Sequence, residues 1–317
     1  MTHPHAAGTS DTHPEANFGP LLDGLRALDN AQIGFIVGPP KTGTSWLGWA
    51  ISSHPHALAR GEGQFGNMLL PRIDAALDQY IDERQKWGLQ TSFLGSDERA
   101  SYERFAIAQV LLGYIRQDGR PVDAMRCVID RTPGGAIHIP RLAALFPRAK
   151  FLCTTRDPRD AGVSFWFHWL RVHGEPKGVS LFDFVERNTR EGWSSTIRAA
   201  RDASTSLGSD RYLEIDYAEH HADRTGAVSR LLGFLGLDAA PHHLEAVLNG
   251  SDFRTRSGGR APGQEDRANF CRKGIVGDWR NHLSVHEGDR IMAIAAECLG
   301  PHAGLLAKYE GASAVAA

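Results

Sequence analysis

Short apolar runs alternate along the chain with longer segments in which apolar residues recur every three or four positions. The short runs are typical of buried strands, and the longer segments are typical of helices that bury one face. Because strands alternate with helices, we expect an α/β fold in which helices cover both faces of a central parallel sheet. The pattern predicts strands at Ile33–Val37, Cys127–Ile129, Lys150–Thr155 and Tyr212–Ile215. It predicts helices near Leu69–Trp87, Tyr102–Arg116, Pro140–Leu145, Leu181–Arg201 and Arg224–Leu235.

Two stretches lack this periodicity. From Ser251 to Gly277 the sequence SDFRTRSGGRAPGQEDRANFCRKGIVG is polar and rich in glycine, which predicts a loop of unusual length. Loops this long in a compact domain are commonly functional or disordered. Residues 1–18 are also polar, and we expect them to form a disordered N-terminal tail ahead of a single domain over residues 19–317.

The composition narrows the class of protein. The 317 residues are 42% hydrophobic and 23% charged, which suits a globular chain with a sizeable core. A formal net charge of −2 gives no reason to expect a nucleic-acid or membrane partner, and we expect a cytoplasmic protein. Cys127 and Cys153 lie in apolar runs and belong to no C-x-x-C pair, so we expect buried free thiols rather than disulfides.

The candidate chemistry begins directly after the first predicted strand, in the sequence GPPKTGTSW. Gly38 and Gly43 allow backbone angles that other residues resist, so consecutive N–H groups can turn toward one ligand. A helix that begins near Thr44 adds its own N-terminal N–H groups and dipole. These features predict a phosphate-binding loop. In a nucleoside triphosphatase a lysine would stand directly before Ser45, whereas the lysine of this chain is Lys41.

A second candidate phosphate site follows the strand in KFLCTTRDPRDAGVS. A nucleoside triphosphatase would end such a strand in an aspartate that binds Mg²⁺, but this strand ends in Arg156, which suits bidentate phosphate binding. Asp157 is a predicted N-cap and Pro158 a predicted first helical residue. Ser164 lies about two turns along that helix and could offer a hydroxyl to the same anion. The pattern therefore favours a second phosphate, held by protein cations without a metal.

The third candidate element lies at the end of the long loop, in FCRKGIVGDWRNHLS. Arg272 and Lys273 precede Gly274 there. A pair of cations on a loop is commonly just solvated. Beside two other phosphate elements, it becomes a candidate clamp on the same ligand.

These three stretches together resemble the sulfotransferases that use 3′-phosphoadenosine 5′-phosphosulfate (PAPS). PPKTGTSW is similar to the 5′-phosphosulfate loop of that family, TTRDPRDAGVS to its 3′-phosphate motif, and RKGIVGDW to the C-terminal loop of its cytosolic members. The resemblance runs from about Ile33 to Leu283 and is weakest between Asn67 and Met125. It implies a P-loop-kinase-like three-layer α/β sandwich. The implied reaction transfers a sulfuryl group from PAPS to a hydroxyl, or as second choice an amine, of a small-molecule or carbohydrate acceptor.

The resemblance also implies which residues bind PAPS, and its product 3′-phosphoadenosine 5′-phosphate (PAP), without a metal. Tyr217 and Phe270 would lie near the adenine, with Ser251 and Phe253 as looser matches. The residues implied at the 5′ end are Lys41, Thr42, Gly43, Thr44, Ser45 and Trp46. Those implied at the 3′-phosphate are Arg156, Ser164, Arg272, Lys273 and Gly274.

The reaction also needs a base for the acceptor's proton. Cytosolic members carry a histidine in a K-T-H stretch, where this chain has R-T-P beginning at Arg131. That run is more similar to the Golgi carbohydrate sulfotransferases, whose base is a glutamate shortly after the His-Pro end of the P-loop helix. Glu62 stands at the matching place and is the predicted base, and Lys41 is the predicted catalytic cation on the leaving phosphate. A surface glutamate in a glycine-rich turn is the alternative for Glu62, and His56 and His138 are weaker candidates for the base.

The acceptor itself cannot be identified from the sequence. We expect Phe65, Arg131 and Phe165 to contact it, and the aromatic-rich stretch VSFWFHWLRVHGEP favours a partly apolar compound. The segment from Arg280 to Asp289 loosely resembles the dimer segment of cytosolic members, which implies a homodimer. The rival functions are a P-loop kinase and a protein that binds 3′-phosphoadenosine nucleotides without chemistry.

Overall fold

The computed structural model of the chain describes residues 19–310. The expected disordered tail, residues 1–18, lies outside them. Within the described residues, five parallel strands form one sheet in the order β2-β3-β1-β4-β5. The strands are β1 (Gln32–Ile36), β2 (Ala57–Arg60), β3 (Cys127–Arg131), β4 (Lys150–Thr155) and β5 (Tyr212–Asp216).

Helices connect the strands and also follow the last strand. Those before β5 are α1 (Gly19–Asp29), α2 (Thr44–Ser52), α3 (Leu70–Lys86), α4 (Ser96–Asp118), α5 (Ile139–Leu145), α6 (Pro158–His173), α7 (Leu181–Arg187) and α8 (Ser194–Leu207). Those after it are α9 (Tyr217–Ala222), α10 (Arg224–Leu235), α11 (Pro241–Gly250), α12 (Phe253–Ser257), α13 (Val285–Leu299) and α14 (Ala307–Glu310).

The core divides between the two faces of the sheet because side chains alternate along each strand. Phe35 of β1 and Phe151 of β4 pack on one face, with α4, α5 and α8. The next residues along, Ile36 and Leu152, pack on the opposite face with α2 and α10. The expected three-layer α/β sandwich with a central parallel sheet is therefore confirmed. The four predicted strands are also confirmed, each within two residues at either end.

The strand β2 was not predicted. Its sequence, Ala-Leu-Ala-Arg, contains no β-branched or aromatic residue, so the local pattern carries no strand signal. Ala57 and Leu58 are almost fully buried, and the strand pairs in parallel with β3. Burial and pairing, rather than propensity, therefore make this segment a strand.

The predicted helix at Leu181–Arg201 is present but is widened in the middle. Residues Asn188–Trp193 form a π-helical segment between α7 and α8. The indole of the buried Trp193 donates a hydrogen bond to the backbone carbonyl of Arg156, at 3.0 Å. The wider turn thus connects this helical layer to the residue that follows β4.

Two further predictions concern cysteines and membrane spans. Cys127 and Cys153 are buried free thiols, as expected. Within residues 19–310, no helix combines the length and the apolar character needed to cross a bilayer.

The first testable prediction concerns Gly38, where β1 passes into the loop beside β4. A Cβ added there would lie 2.5 Å from the carbonyl oxygen of Thr154. We expect Gly38→Ala to lower the free energy of unfolding by about 1–3 kcal/mol, because two backbone segments must separate to admit the methyl group. Urea unfolding measures the change.

The control is Gly113→Ala within α4, where an added Cβ meets nothing within 4 Å. This change should raise stability by roughly 0.5–1 kcal/mol, since alanine favours the helix interior. Unaltered stability of Gly38→Ala would contradict the close approach.

Candidate active site

Loops at the carboxyl ends of all five strands line one cavity of about 650 Å³. Lys41 follows β1, Glu62 follows β2, Arg131 ends β3, Arg156 follows β4 and Tyr217 follows β5. Ligands of open parallel sheets bind at this edge, because the connecting loops meet there. The fold therefore brings together residues that are far apart in the sequence.

The loop after β1 has the geometry of an anion-binding turn. Gly43 has φ 109° and Lys41 has φ 68°, both in the left-handed region. The first helical hydrogen bond of α2 runs from the Leu47 N–H to the Gly43 carbonyl, at 3.0 Å. The N–H groups of Thr44, Ser45 and Trp46 precede this bond and have no acceptor within the helix. This is the backbone geometry that the sequence predicts for a phosphate-binding loop.

Thr42 supports this loop from below. Its hydroxyl donates to the Pro39 carbonyl at 2.6 Å and lies 2.7 Å from the hydroxyl of Thr154 on β4. Its side chain is buried and is not part of the cavity wall. The expected contact of Thr42 with a ligand therefore has no support from the position of its side chain.

Lys41 lies at the centre of a cluster of cations. Its ammonium lies 4.5 Å from the centre of the Phe270 ring, and no carboxylate among residues 19–310 forms an ion pair with it. Burial, with repulsion from Arg156, Arg171 and Arg272, lowers the pKa of Lys41 to about 8. A ligand anion would relieve this repulsion.

Arg156 connects the loop after β1 to two other segments. Its guanidinium donates to the Lys41 carbonyl at 3.2 Å and to the Ile275 carbonyl at 3.0 Å, and lies 4.0 Å from the centre of the Tyr217 ring. Asp157 caps α6 by accepting the N–H of Arg159 at 2.9 Å, as predicted. Arg156 and Ser164 both line the cavity, so the second predicted phosphate element faces the first.

The third element is present and is neutralised from within. Arg272 and Lys273 both pair with Asp278, and the Lys273–Asp278 distance is 2.6 Å. Although burial opposes it, hydrogen bonds from these two cations hold the pKa of Asp278 well below its usual range. Gly274 has φ 66°, and any Cβ there would overlap the ring of Phe253. The residues of the predicted clamp, Arg272–Gly274, therefore lie in the cavity wall, where contacts within the protein fix their positions.

Aromatic groups line the side of the cavity near the end of β5. The rings of Trp46 and His220 stack with their centres 3.9 Å apart. Tyr217 and Phe253 also line the wall, and so does Ser251. Burial lowers the pKa of His220 and raises that of Tyr217, so both rings are neutral at pH 7. His220 was missed by the sequence analysis, which assigned no role to the residues of the short helix that begins at Tyr217.

The opposite end of the cavity holds the predicted base. Glu62 is exposed and accepts a hydrogen bond from the Gln64 side chain at 3.1 Å. Beside it, the buried carboxylate of Asp130 accepts from the Gly63 N–H at 2.8 Å and from the Tyr114 hydroxyl at 2.9 Å. Asp130 thus fixes the turn that carries Glu62. Arg131 donates to the Ser45 hydroxyl at 2.7 Å and also lines this end.

Several sequence-predicted residues lie elsewhere. Phe65 is 2% exposed and packs edge-on against Phe35 in the core, so the structure does not bring it to the cavity. His56 bonds the Ala124 carbonyl, and His138 bonds the Asn67 side chain at 2.6 Å; neither lines the cavity. The expected contact of Phe65 with an acceptor therefore has no support from its position.

One helix face adds two residues that the sequence analysis missed. Phe165 lines the cavity as expected, and His168 and Arg171 of α6 line it as well. They lie four and seven residues after Ser164, which is the spacing of one helix face. This spacing was the available signal. Burial, together with Lys41 and Arg171, lowers the pKa of His168 to about 4.

Comparison with known proteins adds evidence of relationship. Residues 35–241, more than half of the chain, match the model of the Sulfotransferase family. Sulfotransferase 2B1 of Homo sapiens is 31% identical over 157 residues, which cover 45% of this chain and 42% of that protein. Sulfotransferase 2A1 of Macaca fascicularis is 29% identical over 171 residues, which cover 48% and 58%. The matched part therefore spans about half of the length of these relatives.

A solved structure resembles the whole fold. Mouse sulfotransferase SULT7A1, complexed with PAP, aligns with a TM-score of 0.55 at 18% identity and covers 90% of each chain. At this identity the likeness shows the fold.

The lowered pKa of Lys41 gives a pH-dependent prediction. Since this pKa is about 8 rather than 10.5, Lys41 loses its charge as the pH rises through 8. We expect the affinity for PAP to be constant from pH 6.5 to about 7.5 and to fall by about tenfold by pH 9.5, because one cation is lost. Calorimetry at pH 9, in buffers of different ionisation enthalpy, should show proton uptake on binding.

Lys41→Met is the control for this experiment. Its affinity should be weaker at neutral pH and should not fall further between pH 7.5 and 9.5. Equal affinity of the unaltered protein at pH 7.5 and 9.5 would contradict the assignment.

Proposed function

This chain belongs to the sulfotransferase family, and we propose that it transfers a sulfuryl group from PAPS to a hydroxyl of a small acceptor. The observation that carries the proposal is the convergence of two anion-binding elements in one cavity, the loop at Lys41 and the cluster of Arg156, Arg272 and Lys273. PAPS has a 5′-phosphosulfate and a 3′-phosphate. Two separate anion-binding elements in one cavity support this nucleotide over one with a single phosphate group.

Several residues of the cavity wall also carry a polar atom that lacks a hydrogen-bond partner among residues 19–310. The Nε atoms of Arg156 and Arg272 and the indole nitrogen of Trp46 are buried without a hydrogen-bond partner in the described part of the chain. Buried donors of this kind cost free energy unless something accepts from them. Phosphate oxygens and adenine nitrogens are suitable acceptors. We assign Trp46, Tyr217, Phe253 and Phe270 to the adenosine side.

The role of each reacting group follows from its position. The acceptor oxygen forms a new bond to sulfur while the bond from sulfur to the 5′-phosphate oxygen breaks, and its electron pair leaves with the phosphate. Lys41 stabilises the charge that grows on that oxygen. Glu62 takes the proton of the acceptor hydroxyl. The products are a sulfated acceptor and PAP.

The residues argue against a kinase. A P-loop kinase has a lysine, which contacts the phosphates, directly before the position that corresponds to Ser45. It also has an aspartate at the end of a strand, which holds Mg²⁺. This chain has Thr44 and Arg156 at those places. A non-catalytic nucleotide-binding protein has no need of Glu62 at the open end of the cavity, and the experiments below separate it from an enzyme.

Three finer assignments stay proposals. The first concerns the acceptor, which is a carbohydrate in one alternative and carries an amine in place of the hydroxyl in another. A homodimer through the segment from Arg280 to Asp289 is the second; Val285 within it is 73% exposed. A cytoplasmic location is the third.

Nucleotide binding gives the next prediction. PAP should bind more tightly than 5′-AMP by about 10- to 150-fold, since charge-assisted bonds to the 3′-phosphate contribute about 1.5–3 kcal/mol each. Lys273→Ala should remove much of this difference. Arg254→Ala, an exposed cation outside the cavity wall, is the matched control. Titration calorimetry measures the affinity of each of the three proteins for both nucleotides, and equal affinities of the unaltered protein for PAP and 5′-AMP would refute the 3′-phosphate site.

The choice of base gives a further prediction. Glu62→Gln keeps the shape of the side chain but removes its basicity, so turnover should fall by about two to four orders of magnitude. PAP affinity should stay nearly unchanged, because no phosphate contact is lost. Sulfated product formed from labelled PAPS is the measurement.

His56→Ala and His138→Ala are the controls, since both residues lie outside the cavity wall. They should have nearly normal turnover. A Glu62→Gln variant with normal turnover would show that another group takes the proton.

A further inference from the structure

The last two turns of α6 carry a polar pair into the cavity wall. Arg171 donates from its guanidinium to Nδ1 of His168, at 3.1 Å. Arginine can only donate, so Nδ1 is the accepting nitrogen and the neutral ring carries its proton on Nε2. His168 is therefore a hydrogen-bond donor through Nε2 and is not available as the base.

The charge of Arg171 is not compensated by the protein. Two other arginines of the wall have carboxylates beside them: Arg224 pairs with Asp252 at 2.6 Å, and Arg267 pairs with Glu265 at 3.4 Å. Arg131 has no such partner among residues 19–310 and donates to the Ser45 hydroxyl instead. Among residues 19–310, no carboxylate pairs with Arg171. A nearby ligand anion would supply the missing charge.

Arg171 lies beyond the residues assigned to the phosphate groups, although it is near enough to Lys41 to lower the pKa of that lysine. The proposed function already assigns a full set of cations to those groups, from Lys41 to Lys273. Arg171 lies seven residues beyond Ser164 along α6, toward the exposed end of that helix. An anion held by Arg171 would thus lie on the acceptor, and Phe165 supplies apolar wall for the rest of that molecule.

We propose that the acceptor is a hydroxylated aromatic carboxylate, whose carboxylate binds the Arg171 guanidinium and the Nε2–H of His168. A guanidinium suits a carboxylate because its planar fork can donate two parallel hydrogen bonds. The flat ring of the acceptor packs beside Phe165. The inference rests on the proposed function and names the class of substrate for the same site.

The test compares three phenols that differ only at one end: 4-hydroxyphenylacetate, 4-ethylphenol and tyramine. We expect kcat/KM for the carboxylate to exceed that for the neutral phenol by about 10- to 100-fold, the effect of one charged hydrogen bond. Arg171→Glu should abolish this preference and make tyramine the best of the three. The change should lie in the KM values of the two charged phenols.

Three variants control for other causes. Arg187→Glu makes the same charge change at an exposed position outside the cavity wall and should keep the preference. His168→Gln retains a donor and should keep most of it, whereas His168→Phe should lose part of it. If no phenol is sulfated, binding of the same compounds to the PAP-loaded protein decides.

The outcomes separate this inference from the proposed function. Sulfation or binding without preference for the carboxylate overturns the inference alone, and so does a preference that survives Arg171→Glu. Failure to bind any of the three phenols in the PAP-loaded protein also overturns it. Failure to bind PAP at all overturns the proposed function.

Discussion

The buried guanidinium of Arg156 is the charge on which the arrangement of the site depends. A charge taken out of water is costly unless polar groups surround it. Arg156 meets this need with the carbonyls of Lys41 and Ile275 and the face of Tyr217. These partners belong to the loop after β1, the long loop and the end of β5. One cation therefore holds three distant segments around a common cavity.

Asp160, one turn along α6, completes this arrangement. It lies 3.9 Å from Arg156 and accepts the N–H groups of Gly277 at 2.6 Å and Trp279 at 2.9 Å. Burial raises the pKa of Asp160, while Arg156 and these two amides oppose the shift. The long loop is thus fixed at its end by a carboxylate of the helix that follows β4. This explains how a stretch without periodicity still presents its cations to the cavity.

The electrostatics of the cavity agree with a ligand that carries two separate anionic groups. Asp278 compensates two of the cations within the protein, but the lowered pKa of Lys41 shows that repulsion remains around the loop. A rigid sheet holds these like charges close together, because every loop begins at a strand fixed by its neighbours. Binding energy for an anion is therefore built into the fold before a ligand arrives. The same argument, applied to Arg171, extends the preference for anions to the acceptor.

The sequence by itself determined the parallel α/β fold, the tight turn around Lys41 and the helix start that follows Arg156. Each depends on a local pattern, a strand followed by a turn and a helix, and local patterns report the backbone of one segment. Only the tertiary structure decided which side chains reach the cavity. It placed Phe65, from a glycine-rich turn, in the core and His168, from an aromatic-rich helix, in the wall. The physical reason is that a side chain's direction depends on pairing and packing with distant segments, as in β2, which is a strand only because β3 lies beside it.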